Sequence, residues 1–266
     1  MKIFYLSILT ALISNAYGAF EKQGIGASNI GLSLSAVAST CPDFTVFHNP
    51  ALISGDFTAD FFYRNYFGIK ELNQVGIYSE FTSFDQPIAI GIARFGNNLY
   101  SETELVLGTS YKPNDVFSIG LSASVYILRI KNYGDALSFG LNCAVFYRLD
   151  EHWGIAATIN NFNEPELGTS NEKIPVSGEF GFSYLPVKDA ELLLAGYKEE
   201  FHEFAYRLGT RIQIIPGIKL LAGFQNYINS FSLGIELNQN NYRIKYSVDI
   251  HPVLNASHAL GFSYVL

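Results

Sequence analysis

The sequence predicts an all-β protein: an antiparallel up-and-down transmembrane β-barrel of about 14 strands with a short N-terminal luminal plug segment. Of its 266 residues, 15% are aromatic and 23 are glycine, which is typical of pleated sheets joined by many turns. Apolar and polar side chains alternate with period two from residue 57 to the end. Short turns alternate with longer loops, as in outer-membrane barrels.

Charge and composition exclude several classes of protein. The chain has 17 Lys+Arg against 24 Asp+Glu, and its formal net charge is −7. A nucleic-acid partner is excluded, because binding a polyanion needs clustered basic residues and no Lys/Arg run here exceeds two. The 22 Phe and 17 Tyr exclude a disordered chain, which lacks such apolar bulk.

Residues 1–18 are predicted to be a secretory signal peptide. Lys2 supplies the positive charge, Ile3 to Ile13 the apolar core, and Ala16-Tyr17-Gly18 the cleavage site. No later apolar run approaches the ~18 residues of a helical membrane span. We therefore expect export to the bacterial outer membrane, which the protein would cross with strands.

Residues 19–56 follow the strand pattern poorly and are predicted to form the luminal plug, or hatch, segment. Within it, Pro50 fixes φ and biases Asn49 away from the helical region. The Asn49 side chain can bond local backbone, as asparagine does in turns. Asn49, Pro50 and Ala51 are therefore the predicted plug motif, a corner that leads into the first strand. The alternative is a simple loop before that strand.

Residues 57–266 are predicted to form the barrel. Because the strand number is even, both ends of the barrel should lie at the short-turn side, and the loop 161–173 should lie opposite Pro216. The predicted strands cover 57–67, 73–82, 87–95, 100–111, 116–130, 135–148, 153–161, 175–185, 189–197, 203–214, 218–226, 230–238, 241–249 and 256–266.

The composition of the strand face opposite the apolar one distinguishes a membrane barrel from a soluble sandwich. In a sandwich the polar face meets water and should be rich in Lys, Glu and Thr. Here it is mostly Gly, Ser, Ala, Asn and isolated Arg, which suits a crowded lumen. The last strand agrees, since Leu260, Phe262, Tyr264 and Leu266 form one apolar face that ends at the terminus. The alternative is a secreted β-sandwich pair or solenoid.

Strand parity assigns two groups of side chains to the lumen. The polar group is Glu179, Arg207, Arg211, Glu236, Arg243, Lys245 and Asp249. The apolar group would line a binding site or pack against the plug, and it consists of Phe62, Tyr66, Tyr78, Tyr126, Leu128 and Ile130.

Two further predictions concern specific pairs. If Gln239-Asn240 is a two-residue hairpin loop, Glu236 pairs with Arg243 on the inner wall. A one-residue slip would turn Arg243 toward lipid, at a cost of about 2–4 kcal/mol at mid-membrane depth. Cys41 and Cys143 are predicted to be unbonded, because Cys143 shares the outward face of its strand and Cys41 belongs to the luminal segment.

No catalytic constellation is present, so the sequence does not predict an enzyme. Ser257 directly precedes His258, and on a strand adjacent side chains point to opposite faces. No His/Cys pair has metal-ligand spacing. Gly24-Ile25-Gly26 lacks the rest of a phosphate-binding motif. We predict no metal and no cofactor.

Three pieces of the segment 19–56 carry the most specific motif: Gly24 to Leu32, Ala36-Val37-Ala38 and Phe47 to Ile53. They resemble the N-terminal segment of the FadL-type outer-membrane transporters and, more closely, that of the PorV/PorQ-type barrels of the type IX secretion system. In those families a Gly-rich stretch leads to Asn-Pro-Ala just before the first barrel strand. Later pieces, such as Phe117 to Leu121, are similar in order and spacing.

The resemblance implies a non-enzymatic barrel protein that takes part in protein secretion or in surface handling of secreted proteins. Its implied partners are outer-membrane lipid, other secretion-system components and secreted proteins. The alternative is a FadL-like channel for uptake of small hydrophobic molecules, in which the plug is a movable hatch and a hydrophobic small molecule or detergent occupies the lumen. A third possibility is a purely structural barrel.

Overall fold

The computed structural model describes residues 18–21, 24–168, 172–200 and 202–266. Fourteen antiparallel strands form one closed sheet, in which the first strand pairs with the last. The predicted fold class is confirmed. The predicted signal peptide, residues 1–18, lies outside the described residues except for Gly18. None of the described helices is long and apolar enough to cross a membrane.

Sixteen strands occur in the described chain, and two of them, β8 and β9, form a separate hairpin in a loop. Their bounds are β1 (Thr58–Asn65), β2 (Asn73–Ser83), β3 (Gln86–Gly96), β4 (Tyr100–Asn114), β5 (Phe117–Ile130), β6 (Gly134–Arg148), β7 (Trp153–Asn160), β8 (Glu166–Leu167), β9 (Glu172–Lys173), β10 (Ser177–Val187), β11 (Ala190–Glu199), β12 (Ala205–Ile215), β13 (Ile218–Gln225), β14 (Ser230–Gln239), β15 (Tyr242–Ile250) and β16 (Ser257–Val265).

All fourteen predicted strands are present, and their ends differ by a few residues for local reasons. Strand β1 stops at Asn65 because Phe67 and Gly68 adopt positive φ, which extended backbone does not. Strand β4 runs on to Asn114 through a register shift after Tyr111.

The connections separate the barrel into a short-turn end and a loop end. The short-turn end carries 84–85, 115–116, 149–152, 188–189, 216–217 and 240–241. The loop end carries 66–72, 97–99, 131–133, 161–176, 200–204, 226–229 and 251–256. The loop 161–173 therefore lies opposite Pro216, as predicted. Both ends of the barrel chain meet at the short-turn end, where the Leu266 N–H donates to Phe57 O at 3.0 Å.

The outward face is apolar along every barrel strand, as a transmembrane barrel requires. Leu233 and Leu260, for example, are 53% and 51% exposed. Rings lie at the short-turn rim of this face, and four of the exposed ones are Tyr111, Tyr147, Trp153 and Tyr242. Aromatic rings at the rim are typical of a membrane interface. Cys143 has outward parity, Cys41 is exposed, and both are free, as predicted.

The observed register of the last hairpin, β14 and β15, differs from the predicted one. Gln239 pairs with Tyr242, so Asn240-Asn241 is the loop, and Glu236 lies opposite Lys245 rather than Arg243. Asn240 takes positive φ, which asparagine tolerates better than glutamine. The pairing moves by two residues, so every inward side chain stays inward. The predicted Glu236–Arg243 pair is therefore wrong, although the inward orientation of Glu236 is right.

Residues 24–56, the inner segment, lie against the inward-facing wall of the barrel. They form two short α-helices (Ala27–Gly31 and Thr45–His48) and two 3₁₀ turns (Ala36–Ala38 and Pro50–Leu52). Wall glycines let its backbone approach closely: a Cβ on Gly120 would lie 2.1 Å from Ala51 N. A crowded interior is therefore the physical reason for the small residues on the second strand face.

Candidate functional site

The Asn49 corner ties two turns of the inner segment together. Its Nδ2 donates to Val37 O at 2.7 Å, and its Oδ1 accepts from Ala51 N at 3.0 Å. Pro50 opens the following 3₁₀ turn, where the missing N–H costs nothing. Ser118 of the wall donates to Ala51 O at 2.7 Å. The motif thus fixes the inner segment to strand β5.

Toward the short-turn end, two buried cations hold the inner segment. Arg211 Nη1 lies 2.6 Å from Glu191 Oε2, and its Nη2 donates to Cys41 O at 3.0 Å. Arg211 Nε is 3.4 Å from Glu236 Oε1, so the predicted luminal Glu236 pairs here. Glu191 also accepts from Thr40 N at 2.7 Å. We call these residues the Arg211 anchor.

The second cation is Lys245, which bridges the inner segment and the wall. Its Nζ lies 3.3 Å from Asp43 Oδ2 and 3.7 Å from Asp60 Oδ1. Asp43 also accepts from Ser28 N at 3.2 Å. These residues form the Lys245 anchor. Arg243, by contrast, is partly buried opposite Asn238 and Ser263.

On the loop-end side of the inner segment lies a cavity of about 410 Å³. Its floor is made by Ile30, Ser33 and Leu34 of the inner segment. Its wall includes five aromatic residues, namely Tyr66, Phe67, Phe95, Tyr197 and Tyr227. A concave space in which apolar surface alternates with polar and charged groups is what small-molecule sites offer.

Two similar clusters, each with an arginine, a tyrosine and a carboxylate, stand in the cavity wall. Arg64 lies over the Tyr66 ring at 4.2 Å, and its Nη2 is 3.1 Å from Asp249 Oδ2.

In the second cluster, Arg207 lies over the Tyr197 ring at 4.1 Å, and its Nη1 is 3.3 Å from Glu179 Oε1. The predicted luminal residues Asp249, Arg207 and Glu179 thus meet partners on other strands. Stacking of a guanidinium on a ring adds a cation–π attraction to each ion pair.

Both clusters reach the floor of the cavity. Ser33 Oγ donates to Ser232 Oγ at 3.0 Å, and Ser232 donates to Asp249 at 3.0 Å. Arg207 Nη1 donates to Leu34 O at 3.4 Å. Ser33 and Leu34 have φ of 49° and 60°, a left-handed conformation that is costly for both residue types. The apex of the inner segment is therefore strained and is held by these wall contacts.

The predicted apolar lining divides into three groups. Phe62 and Tyr78 pack on Phe44 of the inner segment, with ring centroids 5.9 and 5.5 Å apart, and do not border the cavity. Tyr66 lines the cavity. Tyr126 and Leu128 pack around Phe20, and Ile130 is partly buried at the loop end.

Several residues of the cavity were not predicted from the sequence. Arg64 shares the inward parity of Phe62 and Tyr66 on β1, and Tyr197 shares that of Glu191 on β11, so alternation could have found both. Phe95 shares the inward parity of Ala89 and Ala93 on β3, so alternation could have found it as well, whereas His202 follows the end of β11 and carried no such signal. No group of three or more His, Cys, Asp or Glu suited to a metal ion occurs in the described part of the chain.

Comparison of this chain with known proteins shows a similarity of fold to solved structures. No family model and no curated protein matches the chain. Among solved structures, the Ralstonia pickettii toluene transporter TbuX has a TM-score of 0.72 at 9% identity, over 93% of this chain and 100% of that one. The Pseudomonas putida toluene transporter TodX gives 0.69 at 11% identity, over 94% and 99%.

The CymD monoaromatic hydrocarbon channel gives a TM-score of 0.67 at 12% identity, over 93% of this chain and 99% of that one. All three are channels or transporters by name, and none is an enzyme. The chain thus shares the fold of these barrels. The closer resemblance to PorV and PorQ that the sequence suggested is not shown.

Proposed function

We propose that this protein is an outer-membrane channel for uptake of small hydrophobic molecules, with the inner segment acting as a movable hatch. The observation that carries the proposal is the cavity of about 410 Å³, walled by rings and floored by the inner segment. Its position at the loop end suits a solute arriving from outside the cell, since the longer loops of outer-membrane barrels are extracellular.

The apex is the part of the inner segment that we propose moves. A solute in the cavity meets Ile30 and Leu34, so passage toward the short-turn end requires displacement of the floor. Left-handed backbone at a residue other than glycine costs roughly 1–3 kcal/mol per residue, which lowers the free energy needed to rearrange Ser33 and Leu34. The Asn49 corner would stay in place during this movement.

Protein secretion is the function that the sequence resemblance favoured first. No described feature selects secretion-system components or secreted proteins as partners. The toluene-transporter type of fold supports the channel instead. Outer-membrane lipid remains the partner expected for the apolar outer face.

The test is a reversible lock on the hatch. The Oγ atoms of Ser33 and Ser232 are 3.0 Å apart, so cysteines at both positions can form a disulfide after a small adjustment. Ser33→Cys and Ser232→Cys are introduced together into a Cys41→Ser, Cys143→Ser background. Initial uptake of radiolabelled toluene is measured in cells that lack their own channels for it.

We expect the oxidised lock to reduce uptake to the level of cells without the protein, and dithiothreitol to restore it. The control is the background without the new cysteines, which should transport equally before and after reduction. Equal uptake by the oxidised and reduced lock would refute the moving hatch. Uptake by the background no faster than that of cells without the protein would refute the channel.

A further inference from the structure

Arg207 has hydrogen-bond donors that the described protein does not use. A guanidinium carries five N–H donors. Both of its hydrogen bonds, to Leu34 O and to Glu179 Oε1, leave from Nη1. In the described part of the chain, Nε is buried without a partner and Nη2 donates to no protein oxygen. The side chain is only 6% exposed and lines the cavity.

Arg64, the arginine of the other cluster, provides the internal comparison. It donates through Nη1 to the Tyr66 hydroxyl at 3.3 Å and through Nη2 to Asp249 at 3.1 Å. Both arginines are buried, stacked on a tyrosine and paired with a carboxylate. Only Arg207 leaves a whole terminal nitrogen for another acceptor. A charged donor in a largely buried side chain is stabilised by an acceptor, so this position favours a ligand oxygen.

The net charge of the cavity lining limits which chemical group of the ligand can supply this acceptor oxygen. Apart from two histidines, the charged side chains of the lining are Glu21, Glu199, Glu203 and Asp249 against Arg64 and Arg207. The charge of Arg207 is already matched by Glu179. A ligand carboxylate would therefore enter a space with an excess of negative charge, and like charges repel strongly where water is excluded. The acceptor should be neutral.

A hydroxyl group is neutral and carries an oxygen that accepts hydrogen bonds, so it meets both conditions. Its oxygen can accept from Arg207, and its proton can be donated to a carboxylate of the wall such as Glu199, which already accepts from Tyr197 and contacts His202. The remainder of the cavity offers the faces of Tyr66, Phe95 and Tyr227 to an apolar or aromatic body.

Resting on the proposed channel function, we infer that Arg207 determines specificity for neutral hydroxylated aromatic molecules, such as phenols and benzylic alcohols, over plain hydrocarbons and carboxylates. Phenols stay neutral at pH 7, because a phenolic pKa is near 10.

The experiment compares three molecules of similar shape: 4-methylphenol, 1,4-dimethylbenzene and 4-methylbenzoate. Their dissociation constants are measured at pH 7 by calorimetry on the full chain in lipid nanodiscs, with empty nanodiscs subtracted. We expect 4-methylphenol to bind on the order of tenfold more tightly than either of the others, the size of one well-placed hydrogen bond.

Two variants separate specificity from folding. Arg207→Met with Glu179→Gln removes the donor and its counter-charge together, and should bind 4-methylphenol as weakly as the wild type binds 1,4-dimethylbenzene. Arg64→Met with Asp249→Asn makes the same change in the other cluster and should keep the preference. Each variant is first checked for a folded barrel by its shift on unheated gels.

The outcomes distinguish the two proposals. Equal binding of 4-methylphenol and 1,4-dimethylbenzene by the wild type would overturn the hydroxyl preference and leave the channel standing. Tightest binding of 4-methylbenzoate would overturn the argument from charge. Binding of none of the three would count against the channel itself. Loss of the preference in the Arg64 variant to the same extent would overturn the role of Arg207.

Discussion

The inner segment is held differently at the two ends of the barrel. Toward the short-turn end, the segment is joined to the wall by the buried Lys245–Asp43 ion pair and by hydrogen bonds from Arg211 to Cys41 O and from Thr40 N to Glu191. Toward the loop end, its strained apex is held by Ser33, through one hydroxyl contact, and by Leu34, through a 3.4 Å bond from Arg207. One segment can thus be fixed at one end and released at the other.

The largest expected effect comes from removing an anchor cation. Arg211→Met leaves Glu191 and Glu236 buried without their counter-charge, and breaking a buried pair in this way costs about 3–5 kcal/mol. We expect a correspondingly lower free energy of unfolding in urea. The control is Arg129→Met, whose pair with Asp135 is 63% and 53% exposed, so almost no change in the free energy of unfolding is expected. Similar losses in both variants would contradict the anchoring role.

A second comparison uses a wall glycine at the anchored end. In Gly120→Ala the new Cβ would lie 2.1 Å from Ala51 N, so backbone must shift, with an expected loss of about 1–3 kcal/mol from overpacking. Gly178→Ala, on the outward face of β10, is the control, because its new Cβ has 3.8 Å to the nearest atom, Thr158 O. Urea titration of both proteins measures the difference. If the Gly120 variant were as stable as the Gly178 variant, the inner segment would be easily displaced at the anchored end as well as at the apex.

Gly223 tests the loop end in the same way. A Cβ there would lie 2.5 Å from Leu32 C and 2.6 Å from Ser33 N, next to the strained apex. If the apex is the part that moves, Gly223→Ala should displace it and raise uptake of labelled toluene a few-fold, with less loss of stability than Gly120→Ala. Lower uptake together with an equal loss of stability would mean that both ends are held alike.

Sequence alternation could predict faces but not contacts. It placed Glu236 and Lys245 on the inner wall, since side-chain direction depends only on strand parity. It missed their pairing, because the turn could close on either of two overlapping dipeptides of similar chemistry.

Long-range contacts of the inner segment were beyond any local pattern. The bond from Arg211 to Cys41 O joins residues 170 apart in the chain. Phe62 and Tyr78 have the parity of cavity residues, and they are covered because Phe44 lies across them. Which inward residues border the cavity therefore depends on the path of residues 24–56, which follow no strand period.

The smallest effect concerns an exposed turn at the short-turn end, where Asp150 accepts from the N–H groups of His152 and Trp153 at 2.7 and 2.8 Å. These bonds to the carboxylate lower the pKa of Asp150 below its ordinary value. Because the folded-state pKa is depressed, the stabilisation is complete above the unfolded pKa of about 3.9 and is lost as pH falls through the folded value. Asp150→Asn should remove that slight pH dependence in acid urea titrations and leave stability at pH 7 almost unchanged, because an amide oxygen can still accept both bonds. Unlike the anchor variants, it should not alter uptake, and a change in transport would show that this turn takes part in the hatch.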